Sequence, residues 1–161
     1  MSSELLDAFR HSAWSNRRLL EACATMTPEQ LGASLPTGAG QPLTIMKHLI
    51  GAEGYYLSLL TGKLPDWEWD DEATDTAEEL IGFARLLEHA WERLLADSFE
   101  GNRMLDTHRS RIKAGVLLAQ ALHHGNVHRE QVSAIMTSQG IAPPDVSAWA
   151  YGRESGGIVS K

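Results

Sequence analysis

The chain has 161 residues, 43% of them hydrophobic and 22% charged, which is the balance of a globular protein long enough to bury a core without disulfide staples. Its 14 Lys and Arg stand against 21 Asp and Glu, a net charge of −7, and with no basic cluster this argues against nucleic-acid binding. No apolar run approaches the roughly 20 residues that span a bilayer, the segment from Met1 to Asp7 lacks the basic-then-apolar pattern of a secretory signal, and the lone Cys23 rules out an intramolecular disulfide or a multi-cysteine zinc site. A cytoplasmic protein is the expectation, and any metal in it would be held by nitrogen.

Residues 3–25 form a first amphipathic helix, because Leu6, Phe9, Ala13, Asn16, Leu20 and Cys23 recur at alternating threes and fours. Asn16 is the one polar member of that line. Thr27, Pro28 and Gln30 carry the signature of a capped single turn, and residues 32–41 read as a loop. A second helix opens at Pro42 and stops at Gly62. Its line is Ile45, His48 or Leu49, Ala52, Tyr55 or Tyr56, and Leu59. Gly51 and Gly54 weaken it by about 1 kcal/mol each relative to Ala, which is tolerated where another backbone packs close.

An acidic and aromatic loop covers residues 63–75. Thr76 and Glu79 then form a capping box for a third helix ending near Ala96, with Leu80, Phe83, Leu87, Ala90 and Leu94 in line and Trp91 flanking. Residues 97–112 read as irregular. Arg109, Arg111 and Lys113 suit a helix N-terminus poorly, so the fourth helix is placed from Ala114 to Gln139, with Gly140 as its stop. Beyond Pro143 and Pro144, a short turn over Val146 to Tyr151 lays Trp149 and Tyr151 on the body. The chain is expected to be all-α: a four-helix bundle over residues 1–151 as a single domain, with residues 152–161 as a loose tail.

His124 and His128 carry the chemistry. They lie four apart, which stacks two imidazoles on one helical face. Within the line Leu117, Ala121, His124, His128, Gln131 and Ile135 they take the central places of the expected core face. Buried imidazoles need compensation, either from hydrogen bonds or from a shared metal ion. His48, on a core-facing side of the second helix, offers a third nitrogen. Three histidines without cysteine match a site that keeps a coordination position open. His123 lies off the line and is placed at the surface; His11, His89 and His108 are expected to be solvated or locally bonded. Other sites fit poorly. Gly125 stands where a zincin protease needs its Glu, and the Glu-x-x-His pairs of di-iron bundles are missing.

The segment Met46 to Glu53 around His48, the run His124 to Gln131, the closing stretch Pro143 to Tyr151 and the early Trp14 to Leu20 together resemble the DinB/YfiT-like superfamily over nearly the whole chain. The H-x-x-x-H-R-x-Q element with a histidine about 75 residues upstream carries most of that resemblance. It implies a four-helix bundle, often dimeric, in which three histidines bind a divalent metal. Motif by motif, these fall on His48, His124 and His128. Nickel or zinc is the implied ion, with iron or copper as further candidates. The resemblance also implies a reaction class: a thiol-dependent S-transferase or isomerase using a low-molecular-weight thiol, or a hydrolase. Asn16 and Gln131 are placed as groups that orient the metal ligands, and Trp67 and Trp69 as part of a pocket rim. Two other readings stand beside this one. One is a non-catalytic metal-binding or stress-response dimer module whose ion is enclosed by a carboxylate such as Glu53. The other is a metal-free dimerisation domain with hydrogen-bonded histidines.

Overall fold

A computed structural model describes residues 3–36, 38, 40–64, 67–70, 72–73, 75–96, 99–107 and 110–159. Four long helices dominate: α1 (Ser3–Cys23), α3 (Pro42–Thr61), α4 (Ala77–Ala96) and α5 (Ala114–Ser138). A single turn, α2 (Pro28–Leu31), follows α1, and a short α6 (Ala148–Glu154) closes the fold. Among the described residues no helix is long and apolar enough to cross a membrane.

The helix ends follow the local chemistry. Thr27 and Gln30 exchange hydrogen bonds as a capping box on α2. Thr76 and Glu79 do the same at α4, with the Thr76 amide 2.8 Å from Glu79 Oε2 and the Glu79 amide 3.2 Å from Thr76 Oγ1. Pro42 occupies the first turn of α3, where its missing N–H costs nothing. Gly62 and Gly140 end α3 and α5 at φ 72° each, the left-handed conformation that a Cβ disfavours.

The long helices close a ring. α1 packs on α4 and α5, and α3 packs on α4 and α5, so every long helix has two neighbours around one core. Leu19, Leu20, Ile45, Met46, Leu49, Ile50, Leu80, Leu87 and Ile135 are fully buried there.

Residues 97–112 are not wholly irregular. β1 (Met104–Asp106) and β2 (Arg111–Lys113) pair antiparallel, with Leu105 opposite Ile112. Strands of three residues are too short to show an alternating pattern, and only Leu105 is buried. The Ala114 amide donates to Arg103 O at 2.9 Å and the Gly115 amide to Gly101 O at 2.8 Å, so the segment leading into β1 satisfies two of the orphan donors at the start of α5.

The C-terminal stretch is also more ordered than expected. α6 extends to Glu154, three residues into the segment expected to be loose. Trp14 Nε1 donates to Glu154 Oε1 at 3.1 Å, and Tyr151 stacks near Trp14 and His11, with centroids 5.7 and 5.6 Å away. Trp149 does not join it; the indole is 72% exposed.

Candidate metal centre

His48, His124 and His128 come together. Nε2 of His124 lies 3.2 Å from Nε2 of His48 and 3.1 Å from Nε2 of His128. One nitrogen from each ring falls within 4.8 Å of the others, the arrangement a single ion requires. Nitrogens bonded to a divalent ion at about 2.0–2.1 Å lie about 3.4 Å apart at tetrahedral angles and about 2.9 Å apart at right angles. The two observed separations fall between these values.

The three rings sit on the rim of the bundle and not at its centre. His48 is exposed, and His124 and His128 are half-buried. On α3 the buried line is Ile45, Met46, Leu49, Ile50, Glu53, Leu57 and Leu60, and on α5 it is Leu117, Leu118, Ala121, Gly125, Arg129, Val132 and Ile135. Both lines are rotated by about one residue from those expected. The cause is that Glu53 and Arg129, polar residues that a periodicity argument leaves outside, are 5% and 3% exposed. Their burial turns each histidine-bearing face towards the seam where α3 and α5 meet at the surface.

Local contacts constrain two of the three imidazoles. Nδ1 of His128 donates to Gln131 Oε1 at 2.7 Å, leaving Nε2 with its lone pair. Burial pushes His124 down to about 4, helped by the neighbouring His128, His48 and His123, so its ring is neutral at pH 7. Its Nδ1 is buried without a protein hydrogen-bond partner, so in that ring Nε2 is the nitrogen aimed at other groups. The Tyr56 ring stands edge-on to His124 at 6.0 Å.

Asn16 makes no direct hydrogen bond to the three histidines; its partners are Glu53 and Arg129. Its Nδ2 donates to Glu53 Oε1 at 3.1 Å, and its Oδ1 accepts from Arg129 Nη1 at 2.7 Å. Glu53 Oε2 accepts from Trp91 Nε1 at 3.0 Å. Burial pushes the Glu53 carboxyl up, opposed by these two hydrogen bonds and by the Arg129 charge. Sequence reasoning missed this network, although a polar Asn16 in the middle of a core line was its signature: a buried amide requires partners.

Trp69 covers Gly51, where a Cβ would lie 3.0 Å from its Cζ2; an indole, and not a second backbone, is what approaches this glycine. Trp69 also packs against Phe83, and Lys47 stands 5.5 Å over its ring. Lys47 donates to the carbonyls of Asp70 and Ala73 and pairs with Asp75 at 2.8 Å, pinning that loop to α3. Trp67 lines a separate groove of about 550 Å³ with Leu57, Leu64 and Leu94.

Of the remaining histidines, His123 is exposed, and His89 is exposed beside Glu92 at 3.8 Å. His11 is half-buried, and its Nε2 lies 2.8 Å from the carbonyl oxygen of Val146, far along the chain, so it anchors the tail and is neither solvated nor locally bonded. His108 lies outside the described residues.

Comparison with known proteins agrees with this architecture. The model of the DinB family matches residues 1–155. The structure is similar to that of a DinB-like protein from Bacillus cereus ATCC 10987, at 18% identity and a TM-score of 0.72, covering 89% of this chain and 95% of that one. No curated protein sequence matches the chain.

Proposed function

The chain belongs to the DinB family, and from that premise we propose that it holds one divalent metal ion through Nε2 of His48, His124 and His128 and uses it as a metal-dependent enzyme. The observation that carries this reading is the convergence of three imidazole nitrogens from two helices, with a distance of 3.1–3.2 Å for both pairs that share His124.

Zinc or nickel suits a set of three imidazoles, with iron and copper accepted by the same donors. Such an ion supplies Lewis-acid polarisation and lowers the pKa of a water or thiol that reaches it. The chain's own residues do the rest. Gln131 fixes the ring of His128, and burial keeps His124 unprotonated. Exposure of His48 leaves the seam between α3 and α5 accessible from solvent.

An open site is favoured over an enclosed one by the fate of Glu53. Both of its oxygens are engaged, by Asn16 and Trp91, and it does not join the histidine cluster. The cluster contains histidine alone among the described residues. Three protein ligands with room for exogenous ones is the pattern of catalytic centres. The reaction we assign is transfer to, or isomerisation through, a low-molecular-weight thiol, with hydrolysis as the second possibility. A cytoplasmic homodimer is the form we assign to the protein.

The test is metal content. Untagged protein purified without chelator is expected to carry, or to take up, one equivalent of zinc or nickel by mass spectrometry. His48→Ala is expected to lose it while remaining folded, since His48 is exposed. Unchanged stoichiometry in that variant would overturn the assignment.

A further inference from the structure

The histidines meet at the rim, but the helices that carry them are joined one layer deeper. Arg129 directly follows His128, and its guanidinium turns back along α5 over Gly125, where a Cβ would lie 2.9 Å from Nη1. Nη1 donates to Ser12 Oγ at 3.1 Å and to Asn16 Oδ1 at 2.7 Å, both on α1, and Nη2 donates to Asn126 Oδ1. Asn16 passes the connection to Glu53 on α3, and Glu53 passes it to Trp91 on α4. One buried chain of hydrogen bonds therefore touches all four long helices. Its two ends on the ligand helices are Arg129, one residue from His128, and Glu53, five residues from His48.

Apolar packing is non-directional and tolerates small slides of one helix along another. Directional bonds in a low-dielectric interior do not. Three donors that share an ion must be held within about 0.5 Å of their places. A glycine between His124 and Asn126 weakens α5, and a Cβ there would force the guanidinium to shift from its place.

We propose that Arg129, seated on Gly125 and linked through Asn16 to Glu53, is a positioning residue that holds the His124 and His128 pair opposite His48 and thereby sets the affinity and geometry of the metal site. This rests on the metal-binding reading above. Arg129 acts through the helix register and touches none of the three Nε2 atoms.

The experiment compares the wild type with Arg129→Lys, which keeps the charge and loses the fork, with Gly125→Ala, which fills the seat, and with Leu87→Ala, a core truncation on α4, which contributes no ligand. Co²⁺ affinity is read by competition with a chromophoric chelator, coordination by the visible Co²⁺ spectrum, and folding by thermal circular dichroism. Gly125→Ala and Arg129→Lys are expected to bind Co²⁺ about 10- to 100-fold more weakly and to shift its absorption bands. Leu87→Ala is expected to lower Tm and leave affinity and spectrum unchanged. If Arg129→Lys does not fold, Gly125→Ala decides, because Ala is the better helix former and any loss it shows is not a propensity effect. Wild-type affinity and spectrum in folded Gly125→Ala overturn the proposal, as does a loss of affinity in Leu87→Ala that follows Tm on the same line. Wild type that takes up no Co²⁺, Zn²⁺ or Ni²⁺ overturns the metal reading itself and this proposal with it.

Discussion

Nδ1 of His128 and Oε1 of Gln131 lie 2.7 Å apart, three residues along one face of α5. This bond selects the tautomer of His128 and fixes the plane of its ring. Gln131→Ala is expected to weaken zinc or nickel binding about 10- to 100-fold while costing little stability, because the residue is only half-buried. Gln131→Glu, which retains the acceptor, is expected to keep near wild-type affinity. Isothermal titration with parallel thermal melts separates the two effects.

Removing the metal is expected to lower thermal stability. An ion that binds the folded state alone contributes about 2.7 kcal/mol at a free concentration 100 times Kd. For a chain of this size that corresponds to roughly 5–10 °C in Tm. Scanning calorimetry with and without a strong chelator measures it. His48→Ala is expected to melt at the same temperature under both conditions.

The metal-free protein is expected to lose stability as the solution is acidified. His124 titrates near 4 in the folded chain, because burial and its histidine neighbours disfavour the cation. The same ring titrates near 6.5 when unfolded. Between these values the unfolded state binds more protons, so the stability contributed by the neutral ring is fully present above about 6.5 and is lost as pH falls towards 4. Urea unfolding at pH 7 and pH 5 is expected to show a lower midpoint at pH 5 in the wild type. In His124→Gln, which does not titrate, the drop is expected to be smaller.

Glu53→Ala is expected to be among the more destabilising single changes in the molecule, at about 3–5 kcal/mol. It leaves Trp91 Nε1 and Asn16 Nδ2 without acceptors and the buried Arg129 without its nearby carboxylate. Chemical denaturation measures the loss, and an effect under 1 kcal/mol would show that the network is not an energetic unit.

Cys23 is fully buried, and burial pushes its thiol up to about 11. It is expected to react with a disulfide reagent only at the rate of unfolding. Added denaturant should accelerate labelling in step with the fraction unfolded.

How much was legible in the chain depends on which interactions are local. Proline, glycine and the Thr-x-x-Gln and Thr-x-x-Glu boxes act within one turn, so the limits of α3, α4 and α5 were readable to within a residue. The His124 and His128 pairing is equally local, since four residues on one helix hold two rings together wherever the helix goes. Periodicity, however, gives the angles of residues relative to one another and not the direction in which the whole helix faces. That direction was set by Arg129 pairing with Asn16, 113 residues away, and by Asn16 with Glu53. Only the tertiary structure could supply those partners, and with them the rotation that brings His48 to the same seam. The β1–β2 hairpin escaped notice for a related reason: three-residue strands have too little pattern of their own and exist because they pair with each other and abut α5. The sequence by itself determined the helices and their caps, and it singled out His48, His124 and His128 as one set. The seam at the rim where the three rings meet, and the buried polar chain beneath them, were decided by how the helices pack, because a polar side chain enters a core only where distant residues meet its hydrogen bonds.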